Sequence, residues 1–260
     1  PLVYVNTGFS ATKFILGPNV VLQNNDRRTS GDYFDGGAIE VEGSFVMNGG
    51  QITANRTSGS GGGIFLHNNK EALIAGGSIT GNDAGRNGGG IMLNYYDGKS
   101  KLDMTGGLIG GNRANGKVPT FISASLDGYG GGIFIPGTNT SDATNRFRMT
   151  GGVIEGNISA GGKGNGVAVD RNNTSGVAPV FILGGTASLV NNDVLLHVDS
   201  FWPPLKITVT GPFSPSTPVH ITLDSYNILP MPVLTGGFGP YISKFTAAPY
   251  GIDSLGRIHQ

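Results

Sequence analysis

Two nine-residue stretches of this sequence are nearly identical: MTGGLIGGN at residues 104–112 and MTGGVIEGN at residues 149–157. Four further copies, two of them degenerate, are MNGGQITAN (47–55), IAGGSITGN (74–82), LGPNVVLQN (16–24) and LGGTASLVNN (183–192). The copies follow one another about every 30 residues, with one longer unit. A fixed period of this length predicts a repeat architecture, in which each unit stacks on its neighbours.

A second phrase follows each copy: GGAIEV (36–41), GGGIFL (61–66), GGGIML (88–93), GGGIFI (130–135), GNGVAV (164–169) and NNDVLL (191–196). Apolar residues alternate over these short runs, which is the period of a strand. Glycine pairs punctuate most of these runs, and a glycine inside a helix costs about 1 kcal/mol. The pattern therefore predicts short parallel strands that stack on their equivalents in the next coil, with glycines at the corners.

Aligning the second phrases gives two wholly aliphatic columns, as inward-facing stacks require. They are Ile39, Ile64, Ile91, Ile133, Val167 and Val194, and Val41, Leu66, Leu93, Ile135, Val169 and Leu196. In the first phrase, Phe14, Phe45, Phe147 and Phe181 share a column with the smaller Ala72 and Leu102. The neighbouring column contains Asp103 and Arg148, so we expect it to face outward and these two residues to form an exposed pair.

The repeated asparagine predicts a ladder of side-chain hydrogen bonds, because an amide both donates and accepts. Strict alternation would point this residue outward, so the ladder requires a bend of the chain at the asparagine. Asn also tolerates the left-handed conformation that such a corner demands. The predicted ladder consists of Asn24, Asn55, Asn82, Asn112, Asn157 and Asn191.

The MxGGxIxxN and GGGI phrases over residues 14–197 resemble the repeats of bacterial surface proteins, notably large spirochaete proteins and, more loosely, polymorphic outer-membrane proteins. The tail, with KITVTG, PVHITLDSY and GIDSLGRI, is similar to the ending of the spirochaete type. This resemblance implies an all-β, right-handed parallel β-helix of about six coils, exposed at the cell surface, with an adhesive or structural role. We expect the solenoid and an N-terminal cap over residues 1–198, and a β-rich C-terminal capping or assembly segment over residues 199–260.

Composition excludes several classes of function. The 260 residues include 46 glycines without the strict period of collagen, and 17 basic residues against 17 acidic ones. A neutral chain has no electrostatic footprint for nucleic acid. Without cysteine there are no disulfides, thiolate nucleophiles or cysteine-based metal sites. No apolar run reaches the length of a transmembrane helix. The chain starts at Pro1 without a signal peptide, so we expect a mature or trimmed form.

Two surface features are candidates for binding. The outward column of the second phrase is apolar over five coils and is called here the apolar stripe: Phe65, Met92, Phe134, Ala168 and Leu195. Such a stripe indicates a surface covered by the C-terminal segment or by another subunit. Tyr95 and Tyr96 offer a platform for a sugar or peptide, or merely cover the insertions at 113–129 and 136–146 in the next coil.

Catalytic chemistry has weak support in the sequence. An acid–base or calcium site needs carboxylates gathered from adjacent coils, and no column holds three acids. We therefore expect a non-catalytic extracellular protein without cofactor or metal, adhesive or structural, whose partners are host or matrix glycans or proteins, or copies of itself in an oligomer or filament. The alternative is a carbohydrate-active β-helix enzyme, a polysaccharide lyase or glycoside hydrolase, with acids in the loops.

Overall fold

The computed structural model describes residues 1–6, 13–28, 34–94, 98–116, 128–138, 140, 144–171, 177–198, 203–224 and 229–259. These residues form an all-β parallel solenoid of about seven turns, which confirms the predicted fold and roughly matches the predicted number of coils. In the described part of the chain, each regular turn contributes strands to three parallel sheets, named here sheets A, B and C. Among these described residues, two short 3₁₀ helices lie at Ala160–Gly162 and Gly239–Lys244.

Sheet A is built from the second repeated phrase, as the alternation predicts. All its neighbouring strands are parallel and pair in register. Its strands in the described residues are Val3–Val5, Ile39–Val41, Ile64–Leu66, Ile91–Leu93, Ile133–Pro136, Val167–Asp170, Asp193–Leu196, Val219–Leu223 and Phe245–Thr246.

Sheet B is built from the first repeated phrase, and the glycine pair either interrupts or bends its strand. At Gly77 the backbone has a φ of +83°, and a Cβ atom there would lie 2.6 Å from the carbonyl oxygen of Gly50, so only glycine fits. The strands are Lys13–Leu16, Val21–Gln23, Ser44–Thr53, Glu71–Thr80, Lys101–Met104, Leu108–Gly110, Arg146–Met149, Val153–Glu155, Val180–Gly185, Ser188–Val190, Ile207–Phe213 and Leu234–Gly236.

Sheet C consists of two-residue strands that follow the asparagine corner and precede the glycine turn. In the described residues they are Asp26–Arg27, Arg56–Thr57, Asp83–Ala84, Arg113–Ala114 and Ile158–Ser159. In the next coil, the chain passes from Asn192 directly into the sheet A strand that begins at Asp193. The cross-section of the solenoid therefore changes at this level.

The core consists of the columns predicted from the sequence. Ile64, Ile91 and Ile133 are in register and fully buried. The rings of Phe147 and Phe181 stack at 5.1 Å between centroids and only 4° between planes. Each coil thus buries its apolar side chains against the coil on either side, and this burial is the main stabilising term of a solenoid.

The solenoid continues beyond the boundary predicted at residue 198. Strands Ile207–Phe213 and Leu234–Gly236 extend sheet B in parallel, and Val219–Leu223 and Phe245–Thr246 extend sheet A. The proposed separate cap over residues 199–260 is thus mostly further coil without the glycine phrase. An antiparallel sheet of Met231–Pro232, Gly251–Ile252 and Arg257–His259 closes this end.

Candidate functional site

The asparagine ladder runs through the buried corner between sheets B and C. The backbone N–H and Nδ2 of Asn82 both donate to Oδ1 of Asn112, at 3.0 and 2.9 Å. Asn112 donates in the same way to Asn157 at 2.9 Å, and its Nδ2 also reaches the carbonyl oxygen of Ile79 in the preceding coil. Each amide therefore joins three coils, and the predicted ladder is confirmed at Asn55, Asn82, Asn112 and Asn157.

The prediction is wrong at the two ends of the ladder. Asn25 donates its N–H to Oδ1 of Asn55 at 3.1 Å, and Asn192 accepts from Asn157 at 2.8 Å, so these residues are the terminal members. Asn24 and Asn191 instead occupy the left-handed position before the ladder residue, with φ values of +59° and +51°. In the other coils this position, called here the left-handed corner, is held by Ala54, Gly81, Gly111 and Gly156. This residue supplies the bend that the ladder requires.

The apolar stripe is buried within the chain. Phe65, Met92, Phe134, Ala168 and Leu195 are at most 4% exposed and form a second apolar cluster with Tyr129. The glycine turns before the sheet A strands from Ile39 to Val167 fold against this outer face. A Cβ on Gly164, for example, would lie 2.9 Å from Cβ of Ala168. The stripe is therefore not an assembly surface, and its interpretation as a site for another subunit is wrong.

Tyr129 is the residue of this cluster that sequence reasoning missed. Its ring lies 5.8 Å from that of Phe134, and Nζ of Lys163 lies 4.7 Å from its centroid, within range of a cation–π interaction. Burial, followed by the nearby charges of Asp170 and Asp224, raises the pKa of Tyr129 to about 12. The alternation could not reveal it, because Tyr129 precedes the repeated phrase.

Several predicted features lie outside the described residues or only partly inside them. Tyr95 and Tyr96 are outside, so their role as a binding platform stays a prediction. The insertion at 113–129 is described at residues 113–116 and 128–129, and the insertion at 136–146 at its two ends and at residue 140.

Several outward carboxylates pair with basic side chains of the same or the next coil. Nη2 of Arg146 donates to both carboxylate oxygens of Asp103, at 3.1 and 2.9 Å. Arg148, the predicted partner, is in register with Asp103, but the hydrogen bonds come from Arg146. Nζ of Lys101 lies 2.7 Å from Oε1 of Glu71. These pairs join neighbouring strands of sheet B, and each contributes up to about 1 kcal/mol.

The outward column of sheet C alternates in charge. Asp26, Arg56, Asp83 and Arg113 are stacked in register, and Ile158 ends the column. Asp26 also accepts hydrogen bonds from Nε and Nη2 of Arg28, at 2.9 and 2.6 Å. These bonds lower the pKa of Asp26 to about 2. Opposite charges at one-strand spacing favour the observed register.

One carboxyl group is shifted in the opposite direction. Burial raises the pKa of Asp35 above its ordinary value, although the backbone N–H of Ser60 donates to its Oδ1 at 2.6 Å. The backbone oxygen of Asp35 accepts a hydrogen bond from Arg27 at 2.6 Å. A carboxyl group with a raised pKa is a recurrent feature of general acids, so Asp35 is the candidate that favours an enzyme.

The solenoid wall contains a groove and a cleft that meet at Asn191. The groove, of about 490 Å³, follows the left-handed corner past Gly81, Gly111 and Gly156, with Glu155 beside it. Because glycine has no side chain, the corner is lower than the strands that flank it. The cleft, of about 470 Å³, lies where sheet C ends. It is lined by Asn165, Leu189, Asn191, Asn192, Asp193, Thr217, Pro218 and His220.

Hydrogen bonds fix the polar wall of the cleft. The backbone N–H of Asn165 donates to Oδ1 of Asp193 at 2.7 Å, and Nδ1 of His220 lies 3.1 Å from Oγ1 of Thr246. In the described part of the chain, Oδ2 of Asp193, Nε2 of His220 and the amide of Asn191 make no side-chain hydrogen bond or ion pair. These groups are therefore free to bind a ligand.

Comparisons with family models, curated proteins and solved structures find no match to this chain. The resemblance to bacterial surface repeats therefore stays a prediction. Among the described residues, no helix is long and apolar enough to cross a membrane, and no cluster of three or more His, Cys, Asp or Glu is placed to hold a metal ion.

Proposed function

We propose that this protein is a non-catalytic extracellular or bacterial cell-surface solenoid with an adhesive or structural role. The observation that carries the proposal is the pairing of outward carboxylates with basic side chains, as in Asp103 with Arg146 and Glu71 with Lys101. Carboxylates held in this way stabilise neighbouring coils and lie apart from one another. Acid–base catalysis instead needs two carboxyl groups converging on one bond of a substrate.

The internal ladder supports a mechanical role. Four successive steps from Asn55 to Asn192 connect coils through the buried corner, in addition to the backbone bonds of the parallel sheets. A rod held in this way keeps its outer faces in fixed positions, which favours the display of a binding surface away from an anchoring point.

Self-association, as part of this proposal, involves the first coil and not the apolar stripe. Outward side chains of this coil are exposed, with Tyr4 at 49% and Ile15 at 53%. At the other end, the N–H groups of Val233 and Leu234 donate to the carbonyl oxygen of Gly256, at 2.9 and 3.2 Å, which covers the last strand of sheet B. Because the two ends differ in this way, we expect two copies to pair through their first coils. Such a symmetric dimer cannot extend into a filament.

The alternative function is a carbohydrate-active enzyme, and the raised pKa of Asp35 is the observation in its favour. However, Oδ1 of Asp35 accepts the N–H of Ser60 and stabilises the turn that precedes Gly61. We assign Asp35 this structural role.

A paired assay tests the proposal. The purified protein is incubated with neutral and acidic polysaccharides, with and without calcium, and released reducing and unsaturated ends are measured. In parallel, beads coated with the protein are tested for attachment to cells and to extracellular matrix. We expect attachment without cleavage. Cleavage of a polysaccharide by the wild type that is lost in an Asp35→Asn variant would instead establish that the protein is an enzyme.

A further inference from the structure

We infer that the groove along the left-handed corner and the cleft at its end form one binding site for a neutral oligosaccharide, an inference that rests on the adhesive role proposed above. The change in the solenoid's cross-section creates the cleft. The coil that ends in Ser159 has a sheet C strand, whereas the next coil passes from Asn192 straight to Asp193. The missing strand leaves a ledge where polar groups face solvent.

The ladder also ends at this level. Thr217 takes the next position and donates from Oγ1 to the carbonyl oxygen of Leu189 at 2.9 Å. Asn112 makes the same type of bond to Ile79 three coils earlier. Thr217 is therefore occupied in closing the core, and the groups that remain for a ligand are the amide of Asn191, Oδ2 of Asp193 and Nε2 of His220.

The ledge is closed to an added peptide strand. A strand that joined sheet C beyond Ile158–Ser159 would need the outward N–H of Ser159. This group already donates to Oδ1 of Asn165 at 2.9 Å, and the N–H of Asn165 donates to Asp193. The edge is thus blocked by side-chain hydrogen bonds, which disfavours recognition by β-augmentation.

The chemistry of the lining favours sugar hydroxyl groups. A carboxylate accepts hydrogen bonds from hydroxyls, an amide both donates and accepts, and imidazole can do either. Pro218, which is exposed, supplies apolar surface for the face of a sugar ring. The described lining residues of the groove and the cleft include Glu155 and Asp193 but no Lys or Arg, so an acidic polysaccharide would meet like charge.

The groove extends the site along the axis. The corner positions Gly81, Gly111, Gly156 and Asn191 belong to successive coils, which are about 4.8 Å apart. Four such positions span about 14 Å, enough for roughly three extended sugar units by this spacing. The cleft therefore accommodates one end of a chain, and the glycine corner accommodates the units that follow.

Two substitutions separate binding from folding. Asn191→Gly removes the amide from the cleft but keeps a residue suited to the left-handed φ. Asn24→Gly is its matched control, because it makes the same change in the same column away from the cleft. Asp193→Asn retains an oxygen to accept from Asn165 while removing the charge.

A third substitution tests the groove. Gly111→Asn places a side chain in the trough, where the nearest atom to its Cβ would be the Gly81 nitrogen at 3.9 Å. Asn tolerates this backbone conformation, as Asn24 and Asn191 illustrate. The substitution should therefore obstruct a long ligand without preventing folding.

The experiment is calorimetric titration with hexaoses of glucose, mannose, galactose and N-acetylglucosamine, and with hexagalacturonate. We expect at least one neutral hexaose to bind, roughly tenfold weaker binding in Asn191→Gly and Asp193→Asn, and no change in Asn24→Gly. Gly111→Asn should weaken the binding of the hexaose and leave the binding of the matching disaccharide unchanged.

Absence of binding by all four neutral hexaoses, equal binding of hexagalacturonate, or unchanged affinity in both cleft variants would overturn the inference. Attachment of coated beads that persists in the cleft variants would also overturn it while leaving the adhesive role intact. Cleavage of a bound hexaose would refute the non-catalytic role but leave the site in place, so the two failures are distinguishable.

Discussion

At the residue scale, the asparagine corner depends on two adjacent positions with different tasks. The first residue adopts the left-handed conformation, as at Gly81 with a φ of +61°. This turn directs the second residue, Asn82, into the core, where it is fully buried. A buried amide is costly unless its donors and acceptor are satisfied, and here the adjacent coils satisfy them.

Asn82→Ala should therefore lower the free energy of unfolding by about 1–3 kcal/mol, because it removes the acceptor for Asn55 and leaves polar groups buried. Thermal and denaturant unfolding of the purified variant would measure the change. The control is Asn24→Gly, which alters an asparagine outside the ladder and should cost only a few tenths of a kcal/mol. Equal stability of the Asn82 variant and the wild type would contradict the ladder's energetic role.

The residue at the left-handed corner before each ladder residue also explains where sequence reasoning failed. In copies such as TGN and GGN, glycine marks the turn and a single Asn marks the ladder. The end copies contain Asn-Asn, at 24–25 and 191–192, and Asn suits both positions. Composition alone therefore cannot assign the doublet. The choice depends on the register of the adjacent coil, which the structure supplies through Asn55 and Asn157.

The tyrosine of the second apolar cluster predicts a specific alkaline effect. The pKa of Tyr129 is raised from 10 to about 12, so above pH 10 the unfolded chain loses this proton before the folded chain does. The contribution of protonated Tyr129 to the free energy of unfolding is therefore complete below pH 10 and is lost as the pH rises toward 12. Tyr129→Phe should remove this component, which we expect to be about 1–2 kcal/mol.

Denaturant unfolding of both proteins at pH 8, 10 and 11.5 tests this effect, because the other tyrosines contribute equally to the two chains. The difference in free energy between the variant and the wild type should change in favour of the variant above pH 10. A constant difference across the series would mean that ionisation of Tyr129 is not linked to folding.

At the element scale, the alternation of apolar and polar residues along a strand predicts the direction of a side chain but not whether other residues bury it. Phe134 and Ile15 both point outward from their strands, yet Phe134 is 2% exposed and Ile15 is 53% exposed. The difference arises because the glycine turns and Tyr129 pack on the outer face of sheet A. The sequence predicts the apolar stripe correctly as a set of residues. Its burial depends on tertiary contacts of the turns, which have no periodic signal.

This contrast gives a direct mutational test. Phe134→Ala should destabilise the protein by about 3–5 kcal/mol, because it leaves a cavity beside Tyr129 and Met92. Ile15→Ala, a change at an outward but exposed position, should alter stability by about 0.5 kcal/mol or less. Thermal unfolding followed by circular dichroism compares the two. Similar small effects would indicate that the outer cluster contributes little to the fold.

At the scale of the whole molecule, the loss of the glycine phrase after residue 192 does not end the solenoid. Ile207, Val209, Ile221 and Leu223 continue the inward columns and are at most 3% exposed. Their coils contain several prolines and keep only one glycine pair, Gly236-Gly237, so a search for the repeated phrase assigns them to a separate segment. The alternation in KITVTG and VHITL was the signal that could have placed them in the core.

A chain that ends at residue 198 tests this continuity. Because stability in a solenoid comes from contacts between adjacent coils, removing the last coils uncovers the core faces of Leu183 and Leu196, which pair with Val209 and Leu223. We expect this chain to aggregate or to unfold without a cooperative transition. A chain that ends at residue 248 keeps the parallel strands of sheets A and B but loses two of the three antiparallel strands, Gly251–Ile252 and Arg257–His259. It should therefore remain folded with a lower melting temperature. Size-exclusion chromatography and thermal unfolding would distinguish them. A monomeric, cooperatively folded 1–198 chain would instead mean that the C-terminal coils are an independent cap, since the first coils would then be stable without them.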